Sequence, residues 1–122
     1  MELKSSGKKE EFSTGSCRDS AEGKPPMQLL PFELLERVAD WYGLGAKKYG
    51  DNDWRKGQKQ SHVLGSLLRH LSKYIRGEQD EDHLSAVIWN ALCVMNADVY
   101  LSENKEICDI KEWWQNGKPT GK

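Results

Sequence analysis

The chemistry this 122-residue chain can do is concentrated where polar side chains interrupt apolar stretches. Asn90 falls two helical turns after His83 on one stripe of an otherwise apolar segment. A buried amide without partners costs about 1–3 kcal/mol, so Asn90 needs company. If the segments flanking Gly77 form an antiparallel hairpin, pairing Arg76 with His83 sets Arg69 and His70 opposite Trp89 and Asn90. Two readings fit: a satisfied polar knot that locks helix register, or a ligand site where a basic face, an aromatic ring and the acidic run from Glu78 to Asp82 converge. Glu36 and Asp40, with Glu33 upstream, stand four apart on one helix face. That spacing lets two carboxylates share a hard cation such as magnesium, and it equally describes a solvated face. Lys47, Lys48, Arg55 and Lys56 bracket a loop with Trp54 in its middle. The combination suits phosphate oxygens beside a stacked base, or plain surface lysines around a packing indole.

Other chemistries find little support. His62, His70 and His83 form no i, i+4 pair, and Asp82-His83 reverses the His-Asp order of HD-type phosphohydrolases, so no zinc site is predicted. There is no Gly-x-Ser-x-Gly elbow, and Gly43-x-Gly45 follows no strand. Cys17, Cys93 and Cys108 lack a Cys-x-x-Cys pair and fit neither a disulfide framework nor a zinc knuckle.

The elements that must position these residues follow from periodicity. Residues 1–26 are polar and rich in Ser, Gly and Lys, which predicts an irregular arm that would be disordered alone. After Pro31, Leu35, Val38, Ala39, Tyr42, Ala46 and Tyr49 recur at three- and four-residue steps and predict a helix over 32–49, ended by Gly50. Gly43 and Gly45 weaken that helix, which points to close approach of a ligand or another helix. A glycine-bounded loop over 50–57 precedes a second helix from Ser61, with Leu64, Leu67, Leu68, Leu71 and Ile75 on its buried side. Asp82 is the predicted N-cap of a third helix from His83 to about Ser102, whose apolar residues cover more than one face and make it the most buried element. A short amphipathic turn around Trp113 and Trp114 and a loose tail complete residues 104–122. No segment alternates with period two. The expected fold is all-α, three main helices over residues 27–103 with a mostly irregular N-terminal arm.

Composition bounds the partners. With 18 basic and 19 acidic residues the chain lacks the concentrated positive surface that duplex binding needs, so nucleic acid is not an expected partner. No stretch approaches a membrane span and the first residues form no apolar leader, so a cytoplasmic protein is expected. Leu, Ile, Val and Phe number 24, most of them between Leu29 and Leu101. So thin a core often borrows burial from another copy, and a homo-oligomer, dimer or tetramer, is expected.

A run of short motifs then carries a resemblance: Phe12-Ser13-Thr14-Gly15, Arg18-Asp19, Glu22-Gly23-Lys24-Pro25, Gly45-Ala46-Lys47-Lys48-Tyr49-Gly50, Trp54, Lys56-Gly57, Arg69-His70-Leu71, Gly77-Glu78, Asp82-His83-Leu84 and Trp89-Asn90. In order and spacing these resemble phage proteins of the dATP/dGTP diphosphohydrolase N-terminal-domain family, over residues 12 to about 98. That family is similar to the MazG-like all-α nucleotide pyrophosphohydrolases, including the MazZ proteins. The resemblance implies an oligomeric helical fold that hydrolyses a deoxynucleoside triphosphate to monophosphate and pyrophosphate with Mg2+ or Mn2+. It also brings Arg18, Lys24 and Tyr49 into the substrate-binding set.

The sequence departs from MazG-type enzymes in one respect: none of the three predicted main helices carries their Glu-Glu-x-x-Glu or Glu-x-x-Asp metal motif. Two functions of different class therefore remain. In one, Glu36, Asp40 and Asp82 collect one or two cations for catalysis. Lys47, Lys48, Arg55 and Arg69 then hold phosphates, Trp54 stacks the base, and His70, His83, Trp89 and Asn90 complete the pocket. In the other, the pocket binds without chemistry and sequesters a cyclic or ADP-ribose-derived immune signal, needing the basic and aromatic residues but not the carboxylates.

Overall fold

A computed structural model describes residues 1–110. The helix predicted around Trp113 and Trp114 lies outside the described residues. The chain divides into two compact units, Met1–Phe32 and a helical unit from Glu33 onward.

The first unit is not irregular throughout. Strands β1 (Lys9–Glu11) and β2 (Cys17–Asp19) pair antiparallel, with Lys9 opposite Asp19 and Glu11 opposite Cys17. The turn between them closes through Phe12 N–H to Ser16 O and Gly15 N–H to Phe12 O, both 2.9 Å, and places Gly15 at φ +89°, where a Cβ would be strained. Asp19 is its hub, accepting from Ser6 N–H at 3.0 Å, Ser6 Oγ at 2.9 Å and Lys24 Nζ at 2.9 Å. The Lys24 hydrogen bond, followed by those from Ser6, holds the Asp19 carboxyl well below the usual carboxylate range. This hairpin adds a small two-stranded sheet to an arm expected to be mostly irregular, and so corrects the expectation of a chain without strands. Period-two alternation arises only when one face of a strand is buried, and here both strands are largely exposed.

The helical unit matches the predicted elements closely: α1 (Phe32–Tyr49), α2 (Gln60–Ile75) and α3 (His83–Tyr100). Pro31 precedes α1, and Gly50, at φ +101°, ends it while donating to Ala46 O at 2.8 Å. A 3-10 turn at Asp53–Lys56 lies in the loop to α2. Ser61 is not the N-cap of α2, which starts one residue earlier. Its backbone N–H and hydroxyl both donate to Asp109, a carboxylate from the far end of the unit placed where helix N-termini favour negative charge. After Ile75 the chain closes the helix end through Gly77 N–H to Tyr74 O and Glu78 N–H to Lys73 O, both 3.0 Å, with Gly77 at φ +80°. Asp82 then caps α3 as predicted, accepting from Ser85 N–H at 3.2 Å and Ser85 Oγ at 2.7 Å.

Small residues make the α2–α3 interface. Val63 of α2 and Ala86, Cys93 and Ala97 of α3 are buried. Gln60 reaches across to Val94 O and the Asp98 carboxylate at 3.1 and 2.8 Å. As expected, α3 contributes most of the buried positions, but its large apolar side chains are not among them. Ile88, Leu92, Met95 and Val99 form an exposed stripe along the helix. No helix among the described residues is long and apolar enough to cross a membrane.

The two weak-helix glycines of α1 have different reasons. A Cβ on Gly45 would overlap the Trp89 indole, so the absent side chain is what lets α1 approach α3; Gly43 faces open space. Gly45→Ala is expected to cost about 1–3 kcal/mol by overpacking, whereas Gly43→Ala gains up to about 1 kcal/mol of helix propensity. Thermal unfolding of the two variants measures opposite shifts.

Candidate functional site

Trp89, admitted by Gly45, is the centre of an aromatic group. Tyr42 of α1 stacks on it with ring centroids 5.2 Å apart, and Trp41 meets it edge-on at 6.2 Å. Tyr42 also meets Trp54 of the 3-10 turn edge-on at 5.7 Å, and Trp41 meets His70 of α2 at 6.0 Å. These rings, with Tyr49, wall a cavity of about 510 Å³ in the helical unit. Its polar lining comes from Ser66 and His70 on α2, Asn90 on α3, and Asp51, Asn52, Asp53 and Gln58 on the loop. Among the described residues, no lysine or arginine borders it. Burial pushes the Tyr42 phenol up to about 12 and the Cys93 thiol up to about 11, so both are protonated and neutral at pH 7.

The polar contacts correct the expected register. Asn90 Nδ2 donates to Ser66 Oγ at 3.3 Å rather than pairing with Arg69 or His70, and His70 lies against His83, Nδ1 to Nδ1 at 2.9 Å. The hairpin count set Arg76 against His83. Instead the return segment folds back along the last turn of α2, so α3 begins more than a turn deeper. His83 is buried and its Nε2 contacts the Asp80 carboxylate at 2.8 Å. That hydrogen bond holds the Asp80 carboxyl below its ordinary value, and burial lowers the pKa of His70, favouring the neutral imidazole.

Among the described residues, the group of three metal-ligand types whose donor atoms converge is His70, Glu81 and His83. Sequence spacing hid it, because the two histidines stand 13 residues apart and only the hairpin unites them. Two imidazoles and one carboxylate suit manganese or a later first-row ion better than magnesium, which prefers an all-oxygen octahedron.

The predicted site residues divide accordingly. Tyr49, Trp54, His70, Trp89 and Asn90 line the cavity, and His83 adjoins it through His70. Arg55 lies over the Trp54 ring, 5.1 Å from its centroid, and Lys48 over Tyr49 at 5.2 Å. Lys47 and Arg69 are exposed, the Arg69 guanidinium lying beside Gly65 on its own helix. Arg18 and Lys24 belong to the hairpin unit, Lys24 paired with Asp19. Glu36 and Asp40 are exposed on α1, apart from the converging group. Asp82 is engaged: Arg37 grips it through Nε and Nη2 at 2.8 and 2.7 Å while it caps α3. Within one chain the three carboxylates share no cation site. Sequence reading missed Trp41, Ser66, Glu81 and the Arg37–Asp82 pair. The adjacent aromatics Trp41 and Tyr42 were the available signal for the cavity wall.

The Arg37 hydrogen bonds, reinforced by those from Ser85, hold the Asp82 carboxyl well below its usual range. A depressed carboxyl stabilises the fold above its unfolded pKa, near pH 4, and that contribution is lost as pH falls toward the folded value. Asp82→Asn is therefore expected to destabilise at pH 7 and to flatten the acid limb of stability against pH. Arg37→Ala, at a more exposed group, costs at most about 1 kcal/mol. Urea unfolding between pH 7 and pH 3 measures both.

Comparison with protein families matches residues 14–106 to the dATP/dGTP diphosphohydrolase, N-terminal family. Curated proteins and solved structures give no match. The chain belongs to that family.

Proposed function

We propose that this member of the dATP/dGTP diphosphohydrolase N-terminal family binds a purine deoxynucleoside triphosphate and hydrolyses it to the monophosphate and pyrophosphate. The observation that carries this reading is the aromatic cavity, whose volume of about 510 Å³ and polar edge suit a purine. Trp54, Tyr49 and Trp89 supply π-faces, and Asn90, Ser66 and His70 offer donors and acceptors to the edge of a base. Because no cation among the described residues borders the cavity, the phosphates would extend out of it toward Lys47, Lys48 and Arg55, with Arg69 as a further cation on α2. Glu36 and Asp40, exposed and free of the helix packing, are available to the magnesium that a triphosphate carries with it.

A specific observation favours the second reading, a binding protein that sequesters an immune signal without chemistry: Asp82 is committed to Arg37, and the carboxylates do not gather. Incubating the protein with dGTP, dATP, cyclic nucleotides and ADP-ribose derivatives, with Mg2+ or Mn2+, and separating products by chromatography decides between them. The hydrolase reading predicts pyrophosphate and the matching monophosphate, and is refuted if the nucleotide binds and returns intact on denaturation. Trp54→Ala is expected to weaken purine binding about 5- to 100-fold through lost stacking.

The same reading includes a homo-oligomer. The stripe of Ile88, Leu92, Met95 and Val99, the last 68% exposed, is more apolar helix surface than a lone chain keeps in water. Light scattering is expected to give a multiple of 13.9 kDa, reduced to the monomer by Met95→Lys with Val99→Lys. A monomeric wild type would contradict it.

A further inference from the structure

We propose that the Nδ1 atoms of His70 and His83, with the Glu81 carboxylate, form a binding site for a first-row transition ion such as Mn2+, Co2+ or Zn2+, and that Asp80 orients His83 for it. Two imidazole nitrogens bound cis to one ion at roughly 2.1 Å lie about 3.0 Å apart. His70 Nδ1 and His83 Nδ1 are separated by 2.9 Å, so the pair already has the bite of two ligands on a single ion.

The chemistry of the surroundings assigns the donor atoms. Asp80 accepts the Nε2 proton of His83 at 2.8 Å, which leaves a lone pair on His83 Nδ1. A ligating histidine is commonly held this way, its second nitrogen donating to a carboxylate that fixes the tautomer. His70 Nε2 has no hydrogen bond to the protein among the described residues, so its proton can reside there and leave Nδ1 free to coordinate. Without an ion the same two atoms share one proton as a hydrogen bond; an ion would take its place. Glu81 brings a carboxylate oxygen within 4.8 Å of a ring nitrogen of each histidine, and its exposed side chain can rotate the remaining distance.

The site also has an entrance. His83 and Glu81 border a second cavity of about 420 Å³, with Glu78 and Asp82, while His70 borders the aromatic one. An ion there would sit between the two; Arg37, which also borders the second cavity, pairs with Asp82 and Arg76 pairs with Glu78, so Glu81 supplies the negative charge that favours a cation against Lys73 and Arg69 near His70. The site stands independently of the nucleotide reading, because ion binding is measured with no nucleotide present.

Calorimetric titration of the chelator-treated full chain with Mn2+, Co2+ and Zn2+, and the visible absorption of the Co2+ form, test it. One ion per chain is expected, with affinity lowered at least about 100-fold by His70→Ala and about 10- to 100-fold by Asp80→Asn. Glu81→Gln, at an exposed position, weakens binding without changing thermal unfolding of the ion-free protein. Absence of binding, or binding indifferent to His70→Ala and Glu81→Gln, overturns the assignment. A nucleotide that binds normally under that result would leave the cavity reading intact.

Discussion

All three helices are tied at one dipeptide, Asp82-His83. Asp82 caps α3 and, through the two-pronged grip of Arg37, fastens α1 to the start of α3. His83, buried one residue later, engages α2 through His70 and the return segment through Asp80. A carboxylate and an imidazole so placed set the register of the bundle, because each has one bonding arrangement and the burial of His83 penalises losing it. The aromatic cavity is a consequence. With α3 anchored at its first residue, Trp89 falls where Gly45 of α1 leaves room for it, and Tyr42, Trp41 and Trp54 close around that ring.

The helices were legible because their signals are local. Pro31 and Gly50 bound α1, Asp82 caps α3, and the three-four spacing of apolar residues needs no tertiary knowledge. What escaped depended on contacts between distant residues. The cap of α2 comes from Asp109, 48 residues from Ser61, and no local motif announces it. The hairpin strands have no buried face, so nothing imposes alternation on them. Register was misread by more than a turn because the backward fold after Ile75 rests on the Gly77 and Glu78 hydrogen bonds, whose effect on the path is geometric. The cavity was legible in part. Tyr49, Trp54, His70, Trp89 and Asn90 were singled out and do line it, whereas Tyr42 was read only as part of an apolar stripe.

The cavity and the basic side chains near it differ in electrostatic character. The cavity is neutral to acidic, walled by rings and amides, and suits a base; the basic residues stand outside it, Arg55 on the Trp54 ring and Lys48 on Tyr49. Cation and aromatic are thus adjacent rather than mixed, the division that the proposed stacking of a base beside solvated phosphates needs. Arg37 grips Asp82 while it caps α3, which makes Asp82 a structural anchor, and it is not among the three residues whose donor atoms converge.

The most direct test of the account is a crystal structure of the protein with a dGTP analogue that cannot be cleaved between the α and β phosphates. The account predicts the guanine inside the cavity, against Trp54 and Trp89 and within hydrogen-bond reach of Asn90, with the phosphates outside near Lys47, Lys48 or Arg55. A base lying elsewhere on the chain, with the cavity filled only by water, would contradict it.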